Sequence, residues 1–304
     1  MAVHIITDAP KPGTEAWRQL ITASKVPAIL GLSPWQSPYS LWQEMKGNID
    51  PEEPDENKQK IFDWGHSVEV GIAAYWALQN PEWELSDGEV AITDDELPFP
   101  NLVTLDRLAT HKETGQQRVL EFKSVNSFDA LSKWGKPDEL DTAPANYLAQ
   151  HTFQRGVSHI HDGRIIVQAM GAPEEHKVTW NPLQWATILK RVTAFYRSLE
   201  ADEPPNLDDS TATYEAVRGL HPDIERDTVY PMSQDEALAL LDAKEAEEAA
   251  IAHYRELRTR TLDKMGDRHR AICGDTVVAR RQPGRGPHPE FRLIKKAREE
   301  IQNE

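Results

Sequence analysis

Between residues 79 and 83 the spacing of apolar residues changes, and this limits the chain to folds that pack helices around a sheet. Upstream, residues 61–79 predict a helix, with Phe62, Ala73 and Trp76 near one face in the company of Glu69. After Asn80-Pro81 the period becomes that of strands, over residues 83–92, 102–110 and 118–125. Asp87-Gly88 predicts a hairpin turn inside the first of these. Residues 112–115 join the other two.

Punctuation divides the rest. Ser24, followed by an apolar run and Gly31, reads as an N-cap, a short helix and a C′ glycine. Ser37-Pro38 repeats the device as far as Gly47. Residues 48–59 read as an acidic loop, and residues 126–143 as a long polar one. Pro144 opens a helix to about residue 157, residues 164–170 and 176–180 form a second strand pair, and residues 182–199 form a helix. Residues 201–231, rich in Asp and Pro, read as a connector. Ser233-Gln-Asp-Glu236 is a capping box opening a long helix whose expected buried stripe is Leu240, Ile251, Tyr254, Leu257 and Met265. Residues 276–293 predict a basic hairpin.

Composition narrows the function classes. Of 304 residues, 39% are apolar, and nine tryptophans mark a globular chain rather than a disordered one. No apolar run reaches the roughly 18 residues that span a bilayer, and the N-terminus lacks a secretory pattern, so a cytoplasmic protein is expected. The one cysteine, Cys273, excludes an intrachain disulfide and a cysteine-ligated metal cluster. His151, His159 and His161 lack the companions of a zinc site, and no phosphate-cradling Gly-x-x-x-x-Gly-Lys loop is present. The formal charge is −16, yet residues 255–298 hold 13 basic and 5 acidic residues, a local +8. That segment is either a basic contact surface on an acidic body or paired internally.

Period two places Thr104 and Asp106 on one face of their strand, and Glu121 and Lys123 on one face of the next. Neighbouring strands would bring Asp106, Glu121 and Lys123 together. Carboxylates so arranged suit Mg²⁺, with the backbone carbonyl of Phe122 as a further ligand. A lysine beside them suits phosphodiester hydrolysis, where a water must lose a proton while charge builds on phosphate. The alternative is a plain Glu121–Lys123 ion pair on a solvated face. Glu69 lies on the preceding helix among apolar neighbours, and Gln150 and Gln154 share a helical face. Ser24 and Arg18 supply groups that bind phosphate, or Ser24 only caps its helix.

Arg18, Thr22-Ala23-Ser24, Ala28-Ile29-Leu30-Gly31-Leu32-Ser33-Pro34, Trp64-Gly65-x-x-x-Glu69, Thr104-Leu105-Asp106, Leu120-Glu121-Phe122-Lys123 and Tyr147-x-x-Gln150 follow in one order. Over residues 15–200 this series resembles the YqaJ-like viral recombinase family, relatives of phage lambda exonuclease among the PD-(D/E)XK nucleases. The resemblance implies an α/β core of the restriction-endonuclease-like type, a small mixed sheet flanked by helices, over residues 1–200. A connector at 201–231 and a helical, basic extension at 232–304 complete the chain.

It also implies that Glu69, Asp106, Glu121 and the Phe122 carbonyl are metal ligands. Lys123 would be the catalytic lysine and Gln150 the active-site glutamine, with Arg18, Ser24 and Thr104 as contacts to a 5′-phosphate. The implied cofactor is one or two Mg²⁺ ions, with Mn²⁺ able to substitute. The implied activity is 5′-to-3′ digestion of one strand from a double-stranded DNA end, beside a single-strand annealing protein. A homo-oligomer such as a trimeric ring is implied as well. The chain departs from the family in carrying Leu105 where a proline is usual, and Thr152 in place of the second glutamine of Gln-x-Gln. The rival readings are a nuclease of the same fold cutting internally or at branches, and a catalytically silent module that binds DNA ends.

Overall fold

The computed structural model describes residues 3–50, 55–284, 286–294 and 296–303. The chain divides into two compact units, Met1–Ile224 and Glu225–Glu304. The first opens with β1 (Val3–Ile5), α1 (Glu15–Arg18), β2 (Ile21–Thr22), α2 (Val26–Ile29), α3 (Pro38–Met45) and α4 (Glu56–Gln79). The strands β3 (Trp83–Leu85), β4 (Val90–Asp94), β5 (Asn101–Leu105), β6 (Arg107–His111) and β7 (Gln117–Ser124) follow. Then come α5 (Phe128–Leu131), α6 (Ala145–Ser158), β8 (Gly163–Gln168), β9 (Glu174–Lys177), α7 (Pro182–Ala201) and α8 (Thr211–Leu220).

The strands form two sheets, ordered β1-β4-β5-β2 and β3-β6-β7-β8-β9. The second is mixed: β7 and β8 run parallel and the other pairs antiparallel. This is the α/β core with flanking helices that the sequence led us to expect. Period two decides which side chains meet which helix. Leu120 and Phe122 of β7 face α4, where they are buried with Ile72, Trp76 and Ile166. Glu121 faces the opposite way, toward α6, which lies against the first sheet through Phe153 and Val157. Burying such side chains contributes roughly 1.5–3 kcal/mol each, so the register of β7 is strongly fixed.

Several expectations require correction. The segment 102–110 is not one strand. β5 ends at Leu105 and β6 begins at Arg107, in a different sheet, with Asp106 at the corner. Asp87-Gly88 does not close a hairpin either, because β3 pairs with β6 while β4 pairs with β1 and β5. In both places the chain crosses between sheets, which local turn chemistry does not register. Phe62 is 47% exposed, since only the second half of α4, with Ile72, Ala73 and Trp76, meets the sheet. The expected acidic loop at 48–59 gives way to helix at Glu56, and its residues 51–54 lie outside the described residues. The loop 126–143 contains α5, capped by Ser127. The segment read as a connector contains α8, whose Thr213 hydroxyl donates to Ser37 Oγ at 2.7 Å and so joins it to the N-cap of α3.

The second unit holds α9 (Gln234–Met265), β10 (Arg270–Cys273), β11 (Thr276–Gln282), β12 (Glu290–Leu293) and α10 (Ala297–Asn303). The capping box at Ser233 forms as expected. The predicted hairpin pairs β11 with β12, and β10 adds a third antiparallel strand; Arg285 in the connecting loop lies outside the described residues. The predicted buried stripe of α9 is corrected: Met265 is buried, but Leu240, Ile251, Tyr254 and Leu257 are exposed. A helix of 32 residues is far longer than a sheet whose strands have four to seven, so the sheet covers only a fraction of it.

Candidate active site

The break at Asp106 organises the site. Leaving the ladder at the corner between β5 and β6, Asp106 turns its Oδ2 to accept from the N–H of Phe122 at 2.6 Å. That bond holds the Phe122 peptide unit beside the carboxylate, while the Phe122 ring is buried on the α4 side. Asp106 also lies near Glu121 and Lys123, brought there by the corner between β5 and β6 and not by a shared strand face.

Glu121 is buried, and its two oxygens have three donors. Oε1 accepts from Lys123 Nζ and from Gln150 Nε2, the latter at 2.6 Å. Oε2 accepts from Gln154 Nε2, also at 2.6 Å. Gln154 in addition donates to the Thr104 carbonyl at 2.9 Å, and its own oxygen contacts His151 Nδ1 at 3.1 Å. The two glutamines sit one turn apart on α6, so both reach one carboxylate. Lys123 stands over the Tyr147 ring at 5.4 Å.

Burial alone would drive the Lys123 ammonium toward neutrality, but Glu121 and Asp106 outweigh it and hold its pKa above the ordinary value. Asp106 is pushed well above the carboxylate range, first by burial and then by the charge of Glu121, against the pull of Lys123. Glu69 is raised too, by burial, with Lys123 opposing. Burial and the neighbouring carboxylate thus both work against a second negative charge here.

Glu69 of α4, Asp106 and Glu89 each offer an oxygen such that all three lie within 4.8 Å of one another. The sequence reading did not single out Glu89, which sits beside the Asp87-Gly88 turn. Its signal lies only in register. Val90 pairs with Leu105 in antiparallel β4 and β5, so one step further Glu89 comes opposite Asp106. Hard oxygen donors crowded together in this way fit a divalent cation of the Mg²⁺ or Mn²⁺ kind.

The phosphate candidates are more dispersed. β2 runs parallel to β5, with Thr22 beside Leu102, so the residues after β2 leave the sheet at the end where β5 delivers Thr104 and Asp106. Ser24 lies there, exposed, its Oγ 3.0 Å from Thr22 Oγ1. It does not cap α2: the N-cap is Lys25 in helical geometry, with no side-chain capping bond. Arg18 pairs with Asp50 at 3.5 Å. Lys25, which sequence reasoning passed over, is buried and donates to the carbonyls of Trp17, Arg18 and Leu20 at 3.1, 2.8 and 2.7 Å. It thereby ties the turn carrying Arg18 to α2. Burial pushes this ammonium down to about 8.

Residues 14–161 match the YqaJ-like viral recombinase domain. That stretch, just under half of the chain, is similar to the domain. Its span holds every group just described, from Arg18 to Gln154. Among solved structures, the chain is similar to LHK-Exo in complex with dAMP, with 18% identity, 63% of this chain and 93% of that one covered, and a TM-score of 0.48. It is also similar to the alkaline exonuclease LHK-Exo from Laribacter hongkongensis, with 16% identity, coverages of 62% and 92%, and a TM-score of 0.46. No curated protein matches the chain. The second unit lies wholly beyond the matched residues.

Proposed function

We propose that this chain is a metal-dependent deoxyribonuclease that digests one strand of duplex DNA from its end. The observation that carries the reading is the Lys123 ammonium, fixed on Glu121 and standing beside Asp106 within a recombinase domain. Glu69, Glu89 and Asp106 would hold the divalent ion, with Glu121 and the Phe122 carbonyl as the further ligands that the family resemblance implies. When bound, the ion polarises the phosphate and lowers the pKa of the attacking water.

The chain's own residues do the rest. Gln150 and Gln154 keep Glu121 from rotating away, because each donates to it from a rigid helix. Lys123, kept charged by its neighbours, orients the attacking water and stabilises the charge that grows on the phosphate oxygens. Thr104 is held in place through its carbonyl by Gln154. With Ser24 and Arg18 it would seat the terminal phosphate. The recombinase domain also supports 5′-to-3′ polarity, work beside a single-strand annealing protein, and a ring-shaped homo-oligomer.

The test is cleavage of a linear duplex with 5′-phosphate ends in Mg²⁺, beside a covalently closed circle. The wild-type chain is expected to shorten the 5′-ended strand of the linear DNA and leave the circle intact. Lys123→Ala is expected to lose about 10²–10³-fold in turnover while still binding ends. Cutting of the circle would favour an internal nuclease. No Mg²⁺-dependent cutting by the wild type would leave a DNA-end-binding module.

A further inference from the structure

The small sheet of the second unit contains an arrangement that its own fold does not explain. Arg270 of β10 lies directly opposite Arg280 of β11, and Arg280 directly opposite Arg292 of β12. Directly paired residues project from the same face of a sheet, so three guanidinium side chains form one row across all three strands. All three residues are exposed. Among the described residues, none of the three side chains has an ion pair or hydrogen bond. Like charges directly opposite destabilise a sheet, and here the repulsion occurs twice.

The surrounding charges do not relieve it. Arg281, adjacent in sequence, points to the other face, where it donates to the Gly266 carbonyl and lies 3.8 Å from Asp267. Phe291 on that face is covered by Arg258, 5.6 Å from its ring. Ala279 there is buried. On the arginine face, Glu290 is two residues from Arg292, but its side chain lies against Gly284. Arg268 donates to the carbonyls of Lys264 and Met265 at the end of α9. On the other face the charged side chains thus find partners within the unit, apart from the Nε of Arg281, whereas the arginine row finds none.

We propose that Arg270, Arg280 and Arg292 form a binding surface for the phosphate backbone of duplex DNA, outside the recombinase domain. Strands about 4.8 Å apart spread the row over about 9.5 Å. One strand of a duplex places a phosphate about every 3.4 Å along the axis, so roughly three phosphates span it. Arginine forks pair with phosphate oxygens in bidentate fashion. In a chain of net charge −16, long-range repulsion of DNA makes such an unpaired row the element that holds the polyanion. The choice of DNA rests on the function proposed above.

The test uses the full chain and a fluorescein-labelled 30-base-pair duplex in EDTA, with anisotropy followed as salt is raised. In the triple variant Arg270→Gln, Arg280→Gln, Arg292→Gln, the slope of log affinity against log salt is expected to fall in magnitude by about 2.7, with at least a tenfold loss of affinity. The melting temperature is expected to stay at or above wild type, because repulsion has been removed. Replacement of all three by Lys is expected to keep most of the slope. Arg280→Gln alone, a gentler change, should lower it by about 0.9.

An unchanged slope overturns the proposal. So does displacement of the duplex by polyglutamate as readily as by unlabelled DNA at equal charge, which would mark an acidic-peptide surface. Cleavage in Mg²⁺ with an unchanged slope removes the arginine row alone. A reduced slope in a chain that never cleaves removes the nuclease reading and leaves the row standing.

Discussion

Two β-regions of the molecule treat their cationic side chains in opposite ways. Lys123 on β7 leans on a buried carboxylate that two glutamines also hold, and a neighbouring aspartate adds to its stability as a cation. Arg270, Arg280 and Arg292 share an exposed face and repel one another. In the first region the excess is negative: Asp106 and Glu69 are both raised, first by burial and then by the charge of Glu121 beside them. In the second it is positive. On the readings proposed above, each region keeps the charge that its partner would neutralise, a small cation in one and a row of phosphates in the other. The depth of burial fits the size of the partner. A metal ion needs a few donors in a confined corner, whereas a polyanion needs an open face.

The comparison breaks most visibly at Glu89. If it completes the acidic corner, Glu89→Gln should weaken Mn²⁺ binding by about 10–100-fold, measured by calorimetry or by the spin-resonance signal of free ion. Undiminished affinity would mean that Glu69 and Asp106 work without it.

Acid should act on the first region before the second. His151 is fully buried in the first unit, and desolvation, followed by the charge of Arg155, pushes its pKa well below 6.5. Below about pH 6.5 the unfolded chain therefore binds a proton that the folded chain refuses. Stability should fall as pH drops, by up to about 1.4 kcal/mol per unit from this group. Urea melts at pH 7.5 and 5.5 check this, and replacing His151 should flatten the difference. A loss that began with melting of α9 would contradict it.

The smallest effect sharpens the contrast from the other side. Arg280→Gln should raise stability by about 0.2–1 kcal/mol for each repulsive pair relieved. Lys123→Gln, which removes a partner of buried Glu121, should lower it by about 1–3 kcal/mol. Chemical denaturation of both variants compares the two signs directly.

Much of this was readable along the chain. The switch from helical to strand period after Asn80 located the sheet region. Ser37 and Ser233 capped the helices they were expected to cap. Gly47 and Gly115 adopt the positive φ that ends a helix and turns a hairpin, at +73° and +69°. Glu121 and Lys123 share a face because a strand leaves no alternative. Ser24 was misread as a cap because its helix starts two residues later, at Val26, from a residue already in helical geometry. The exposed stripe of α9 failed for a different reason, since periodicity states which face is apolar but not whether anything covers it.

What the sequence determined by itself was local: periods, caps, turns, and which side chains leave a strand together. Those depend on backbone geometry over a few residues and on nothing farther away. The tertiary structure alone decided that the chain would change sheets at Asp106, that Glu89 would come opposite it, and that Gln154 would meet Glu121. It also brought Arg270, Arg280 and Arg292 into line. Each of these is a matter of register between segments separated by loops or by whole helices. Register is set by how all the apolar faces pack at once, which no short window of sequence contains.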